Sequence, residues 1–506
     1  MKIAYNGQTA EYTGGRVAIL LLLFGIAIFQ LINSGFTAFA IVCIIPVMIL
    51  AAMLTLSKGM SVFWILLLVN YVLQWHSMPE WPVPMSIPNE MLEVLLLAMA
   101  AIDIKETKFE RAGNLMMFVL LVWAMFVTLE VLNDSCGLGL QVGPWFTGAR
   151  MMSFQLIYAH LVYVLYIKDP KTLVKYLIVW GALSLFASFW IWKQQNIGLT
   201  AGENAFLQGR GRTTHIINGG ATVRLFSVYS DAANFGIGIA STAVAFLIIG
   251  ITTKIKKYRY YFLVVGLACT WAMFPSGTRT AIFCLGAGIL FYVFLSKSFK
   301  IAIPVAIGFV FAFFILAFTT IGNSNASIRR MRSGFDTKDA SANQRTINQA
   351  VMKKYLADAP FGLGVGMGYE NVPANNKFRK LATIPPDSEY VFIWIHTGYV
   401  GIVVFLICTF LIVAGGSWIV LFRLRSPSLR GIGAGLTCGF VAMQLGGYGN
   451  QVLMQFPNCL LFYGGMSLVF ILPMIEDEWI EYEEKQLAIQ TERERLKEEK
   501  RRASRV

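Results

Sequence analysis

The sequence predicts an all-α, polytopic membrane fold, and three observations predict it. Hydrophobic residues make up 56% of the 506-residue chain and charged residues only 14%, whereas a soluble domain carries about 25% charged residues. The apolar residues fall into many long stretches separated by short polar breaks, and a bilayer-crossing helix needs about 20 of them. The Lys and Arg residues gather in alternate breaks, which is the pattern of a chain threading a membrane. This composition excludes a collagen, a coiled coil, a disordered chain and a disulfide scaffold.

About fourteen spans are expected, with cores at 17–31, 38–54, 62–75, 91–102, 116–132, 154–167, 173–192, 233–251, 261–274, 281–295, 301–321, 390–413, 432–447 and 460–475. The third and fourth are short enough to be partly re-entrant. The stretch 76–89 between them holds Pro79, Pro82, Pro84 and Pro88 and belongs at the interface. The first apolar stretch runs on to a second without a small-residue cleavage pattern, so a cleavable signal peptide is not expected.

Orientation follows from Lys and Arg in the short breaks. With the N-terminus inside, the inner breaks carry Lys58, then Lys105, Lys108 and Arg111, then Lys168, Lys171 and Lys175. Further along they carry Lys254, Lys256, Lys257 and Arg259, then Lys297 and Lys300, then Arg423, Arg425 and Arg430. An even span count returns the C-terminus to the cytoplasm. The chain then divides into N-terminal helices (1–192), a first long outer loop (193–232), central helices (233–321), a second long outer loop (322–389), C-terminal helices (390–475) and a charged tail (476–506). The tail carries Glu and Lys or Arg at helical spacing and reads as a solvated helix, with a partner-binding helix as the alternative.

Cys43, Cys269, Cys284, Cys408 and Cys438 sit in apolar runs and read as small core residues. Cys136 and Cys459 fall near outer helix ends, where sequence leaves their pairing open.

Several chemistries have no motif. No P-loop pattern is present, so ATP-driven transport is not expected. Neither HExxH nor paired CxxC occurs, so no metal site is expected. Residues 362–368 (GLGVGMG) follow no strand and read as a turn or a close backbone approach rather than a nucleotide loop. His160 and His396 read as hydrogen-bonded core residues and His76 as interfacial; His215, in the first long loop, is placed for a substrate contact.

The second long loop holds ten basic residues against Asp336, Asp339, Asp358, Glu370 and Asp387. A cationic outer loop calls for an anion, either a phosphate-bearing substrate or lipid headgroups. Arg224, Arg279 and Arg345 sit at the outer ends of spans or in the loop itself, with Asp387 and Glu389 at the mouth of the twelfth span. Charges at such depth are costly and mark functional candidates, with snorkelling as the alternative. Arginine suits phosphate because its planar fork stays charged and donates two parallel hydrogen bonds. Trp145, Phe146, Tyr229, Tyr369 and Tyr390 lie near the outer face, where a sugar site or an interfacial aromatic belt would place them.

These motifs resemble a family. Gln344-Arg345 opens an expected amphipathic helix ending near Ala359. The glycine-rich run to Gly368 follows, then Pro386-Asp387-Ser388-Glu389-Tyr390 and Gly398-Tyr399-Val400-Gly401. Their order is similar to that of the O-antigen polymerase and O-antigen ligase superfamily. Ser276-Gly277-Thr278-Arg279 resembles its serine-arginine motif at a helix start, and Arg224 resembles its other loop arginine. The resemblance covers roughly residues 220–415. One departure favours the polymerase branch: ligases carry a histidine-asparagine pair where this chain has Asp387-Ser388.

The resemblance implies a GT-C-like fold in a bacterial inner membrane, with both termini cytoplasmic. It implies glycosyl transfer on the outer face, from undecaprenyl diphosphate to a lipid-linked repeat unit, with no nucleotide sugar, metal or other cofactor. The partners implied are the undecaprenyl-diphosphate-linked oligosaccharide, membrane lipids and a chain-length regulator, with no nucleic acid. Arg224 and Arg345 are expected on the diphosphate, with Arg279 as a third that is alternatively structural. Arg345 would also act catalytically by stabilising the leaving group. Asp387 is expected to accept the acceptor's proton, with Glu389 as competitor. Burial would favour that role for Asp387 and neighbouring arginines would oppose it, so orienting an arginine or a sugar hydroxyl is the other role open to it. His215, Tyr229, Tyr369 and Tyr390 are candidates for the glycan. The alternatives are a ligase of the same superfamily, a flippase of lipid-linked sugars and a structural membrane subunit.

Overall fold

The computed structural model describes residues 2–5, 8–11, 59–78, 86–103, 107–217, 222–296, 299–321, 329, 332, 340–384 and 386–503. The chain divides into two units, Met1–Trp64 and Ile65–Val506. In the first, β1 (Lys2–Tyr5) and β2 (Gln8–Glu11) pair antiparallel, Lys2 opposite Glu11. The expected spans 17–31 and 38–54 lie outside the described residues.

Helix dominates the second unit. α1 (Gly59–Val72) runs into it, followed by α2 (Ser86–Ile102), α3 (Leu115–Leu129), α4 (Val142–Ala149), α5 (Gln155–Tyr166) and α6 (Pro170–Asn196). The expected first loop is partly ordered as α7 (Ala201–Gln208), α8 (Arg212–His215) and the two-residue strands β3 (Ile216–Ile217) and β4 (Thr222–Val223). Then come α9 (Ala232–Thr252), α10 (Lys256–Ala272), α11 (Arg279–Leu295), α12 (Phe299–Phe318), α13 (Ala340–Leu356) and α14 (Arg379–Thr383). The chain closes with α15 (Glu389–Trp418), α16 (Pro427–Gly449), α17 (Asn458–Ile471) and α18 (Glu476–Ala503). Beside these helices the two short hairpins are minor, and the all-α expectation holds for the fold as a whole.

Every expected span from 62–75 onward overlaps one of these helices. By length and composition, four among the described residues suffice to cross a membrane: Leu115–Leu132, Pro170–Asn196, Ala232–Thr252 and Glu389–Arg423. Asn458–Met474 and Glu476–Ala503 qualify together as a fifth, bent by 89° at their junction. The protein is thus a helical membrane protein. Several expected spans are shorter helices, α1 and α11 among them.

Local signals set the helix starts. Asp169 caps α6 through a reciprocal capping box with Thr172, and Pro170 takes the first turn, where its missing N–H costs nothing. Asp231 accepts from the backbone N–H groups of Ala233 and Asn234 to begin α9. Helix α9 is central: 83% of its apolar window is buried, and it packs against α10, α11 and α16. Its glycines allow close approach: a Cβ on Gly236 would fall 2.4 Å from Ser276 Oγ in the turn before α11, and one on Gly238 2.2 Å from Asn458 Oδ1 at the start of α17.

Helix α15 is broken at Gly398, whose φ is 63° and ψ −163°. The glycine-rich segment after α13 repairs the break. Leu363 N–H donates to Ile395 O at 2.9 Å, Gly364 N–H donates to His396 O at 3.0 Å, and Val400 N–H donates to Pro360 O at 3.2 Å. Helical backbone groups orphaned by the kink are thereby satisfied from outside the helix. The close-approach reading of 362–368 holds.

Helix α18 docks through paired charges. Arg425 meets Glu476 at 3.2 Å and Asp477 at 2.6 Å, Lys254 meets Glu483 at 3.3 Å, and Lys256 meets Glu494 at 3.0 Å. Trp479 is buried and donates to Ser428 Oγ at 3.0 Å. The six described cysteines are all free thiols, Cys136 and Cys459 included.

Candidate functional site

The site grows from the start of α11. The turn Phe274-Pro275-Ser276 ends in Gly277 at φ 58°, and Arg279 opens the helix, half-buried. Arg224, just after β4, clamps this turn: Nε donates to Ser276 O at 3.3 Å, Nη2 to Thr278 Oγ1 at 3.0 Å and Nη1 to Thr214 O at 3.0 Å. Thr278 Oγ1 in turn donates to Ala232 O at 2.7 Å. Three donors of Arg224 are therefore spent on holding the serine-arginine turn, which gives it a positioning role beside any contact with phosphate.

The end of α16 joins this turn to the second arginine. Asn450 Nδ2 donates to Thr280 Oγ1 at 3.3 Å, and a Cβ on Gly449 would fall 2.4 Å from that same oxygen. Gly449 O accepts from Arg345 Nη2 at 3.0 Å. Arg345 lies within α13, which starts at Ala340, five residues ahead of the expected helix start, and ends at Leu356. Its Nε stands 3.9 Å from Asp387 Oδ2, both side chains partly exposed. Arg224, the start of α11, Gly449, Arg345 and Asp387 thus form one connected strip. At its end lies a cavity of about 230 Å³, lined by Arg345, Asp387, Ser388, Asn348, Gln349 and Tyr448 among others.

Glu389 is placed differently. It is 2% exposed, does not line the cavity, and Oε2 accepts from Leu453 N–H at 2.9 Å. Its carboxylate anchors the segment between α16 and α17. Ser388 Oγ donates to Gly447 O at 3.1 Å and fixes the neighbouring backbone.

The glycan candidates are dispersed. His215 is buried, its Nε2 accepts from Ala232 N–H at 3.1 Å, and Nδ1 lies 3.1 Å from Gly211 O. A backbone donor on Nε2 puts the ring proton on Nδ1. Burial first, and then the cation of Arg224, pull its pKa down to about 4. With both nitrogens engaged inside the loop, His215 pins β3 to the start of α9. Tyr229 is fully buried, with its ring edge-on to Tyr71 and Phe235. Tyr390 donates its hydroxyl to Gln444 O at 3.0 Å. Tyr369 is exposed and carries the Arg379 guanidinium 3.5 Å from its ring centroid. None of the four lines the cavity.

Sequence reasoning missed Thr280, Gly449, Asn450, Tyr448, Asn348 and Gln349. The run Gly446-Gly447-Tyr448-Gly449-Asn450 at a span end was the available signal, since glycine and asparagine mark helix termini. Asn348 and Gln349 follow Arg345 at helical spacing. Among the described residues, no group of three His, Cys, Asp or Glu side chains is placed to hold a metal ion.

Residues 264–406 match the model of a protein family described as O-antigen ligase. No curated protein matches the chain. The matched stretch contains Arg279, Arg345, Asp387 and the Gly362–Gly398 junction, and it leaves Arg224 outside. Residues 264–406 of this helical membrane protein are thus similar to the O-antigen ligase family.

Proposed function

We propose that the protein is a polysaccharide polymerase of the bacterial inner membrane. It transfers a growing glycan from undecaprenyl diphosphate to a lipid-linked repeat unit on the outer face. The observation that carries this reading is the Arg345–Asp387 pair on one cavity, tied through Gly449 and Thr280 to the Arg279 turn. Cation and carboxylate side by side suit a reaction that expels a diphosphate and takes up a proton.

In this reading the sugar C1–O bond to the diphosphate breaks and C1 bonds to the acceptor hydroxyl. The hydroxyl proton passes to Asp387, and the negative charge on the leaving diphosphate is met by Arg345, with Arg279 nearby. An incoming diphosphate competes with Asp387 for the guanidinium, which frees the carboxylate for the acceptor. The Asp387-Ser388 pair supports the polymerase branch. The fourteen-span layout, with both long loops outside and both termini cytoplasmic, is part of the proposal.

The family description supports a second reading, transfer of finished glycan to lipid A core or protein. One reconstitution tests both. Purified protein receives lipid-diphosphate-linked repeat units with EDTA and without nucleotide sugar. A ladder of longer lipid-linked glycans, lost in Arg345→Ala, is the expected result. Glycan on added lipid A core instead selects the ligase. A lipid-linked sugar that changes leaflet without either product overturns the enzyme reading.

A further inference from the structure

We infer that the cavity beside Arg345 is the subsite for the donor's first sugar, the one bonded to the diphosphate, with Asn348, Gln349 and Tyr448 as its specificity residues. The inference rests on the glycosyl-transfer reading and adds to it where the sugar sits and what selects it.

The placement comes from one helix face. Positions 345, 348 and 349 of α13 are neighbours on that face. Arg345 reaches Gly449 O, so the same face looks onto the end of α16, where Tyr448 stands 72% exposed. The lining then has two characters. Asn348 and Gln349 present amides, which donate and accept alike. Met352, Val391 and the Tyr448 ring present apolar surface. A pyranose has the same two characters, a C–H face and a rim of hydroxyls. An acyl chain would face the charged groups of Arg345 and Asp387, and a bare phosphate would leave the apolar wall unmatched. The volume of about 230 Å³ falls below the roughly 300–1,000 Å³ of pockets for drug-sized ligands. It suits one ring, with the rest of the glycan outside. Arg345 and Asp387 line the same cavity, so a ring seated there carries its anomeric carbon to the reacting groups.

The test is equilibrium binding to the full chain in nanodiscs. One probe is undecaprenyl diphosphate bearing the host's repeat unit; the other is undecaprenyl diphosphate without sugar. Asn348→Ala/Gln349→Ala is expected to weaken the glycan probe about tenfold, as a loss of roughly 1.4 kcal/mol would, and to leave the sugar-free probe unchanged. Tyr448→Ala should act in the same way and Tyr448→Phe should retain binding, since only the ring is used. Arg345→Ala should weaken both probes. Unchanged binding of the glycan probe in the double variant and in Tyr448→Ala overturns the inference. So does an equal loss of both probes, which would make these residues part of the diphosphate hold or of the fold. Wild-type protein that binds neither probe removes the glycosyl-transfer reading and this inference with it, whereas selective failure of the sugar arm removes the inference alone.

Discussion

Gly362 and Gly398 meet backbone to backbone: a Cβ on Gly362 would lie 2.5 Å from Ile395 O and 2.6 Å from Gly398 N, and a Cβ on Gly398 would lie 2.0 Å from Pro360 O. Both residues also have positive φ, 73° and 63°, where L side chains are strained. Gly398→Ala should therefore separate the loop from α15 and expose the loop backbone. Limited proteolysis should show faster cleavage near residues 357–368, with transfer activity lost. A variant cleaved at the wild-type rate would show that the junction tolerates a side chain.

Asp387→Asn tests the proton acceptor. It keeps the size and removes the base, so turnover should fall by about 10²–10⁴. Binding of sugar-free undecaprenyl diphosphate should persist, because Arg345 no longer shares its charge with a carboxylate 3.9 Å away. A normal rate in Asp387→Asn would move the role elsewhere.

Glu389 is the natural rival, and its geometry predicts a different signature. Glu389→Gln keeps an oxygen for the Leu453 N–H but turns an amide donor toward the Val452 and Met454 N–H groups, so it should keep activity and lower the thermal midpoint. Glu389→Ala leaves that N–H unpaired in the interior and should cost about 1–3 kcal/mol of stability. An inactive Glu389→Gln with an unchanged midpoint would instead make Glu389 the base.

His215 predicts a pH dependence. Its pKa is lowered by burial and Arg224 to about 4 in the folded chain, against about 6.5 when unfolded. The unfolded chain therefore takes up the proton first as pH falls. The stability tied to the neutral ring is complete above about pH 6.5 and is lost progressively toward pH 4, by roughly 3 kcal/mol at the bottom. Asp231 opposes the shift, and His76, lowered chiefly by burial, adds a slope of the same sign. Thermal midpoints in detergent should fall across that window, and His215→Gln should flatten much of the fall.

The sequence carried the helices well and the site only in outline. Helices over 62–75 through 460–475 were visible because apolar length is a local property, readable without knowing any neighbour. The Arg345 helix was visible too, although its start at Ala340 lay ahead of the residue that drew attention. The break at Gly398 was not, because a helix broken at glycine is stable there only through carbonyls and amides that the 360–364 segment supplies from outside. Arg224 read as a phosphate ligand because isolated arginine looks available; the fold spends three of its donors on Thr214, Ser276 and Thr278. The burial of His215 and Tyr229 was not legible for the same reason, since burial is decided by partners far along the chain.

The pairing of α18 with Lys254, Lys256 and Arg425 makes the tail an internal counter-ion. These cations lie in two of the breaks whose positive charge argued for the chain's orientation, and anionic lipid headgroups would seek the same groups. Tail and lipid thus compete for one set of charges. Removing residues 476–506 should hand the cations to the bilayer, so that the truncated protein retains more phosphatidylglycerol on purification and releases it as salt is raised.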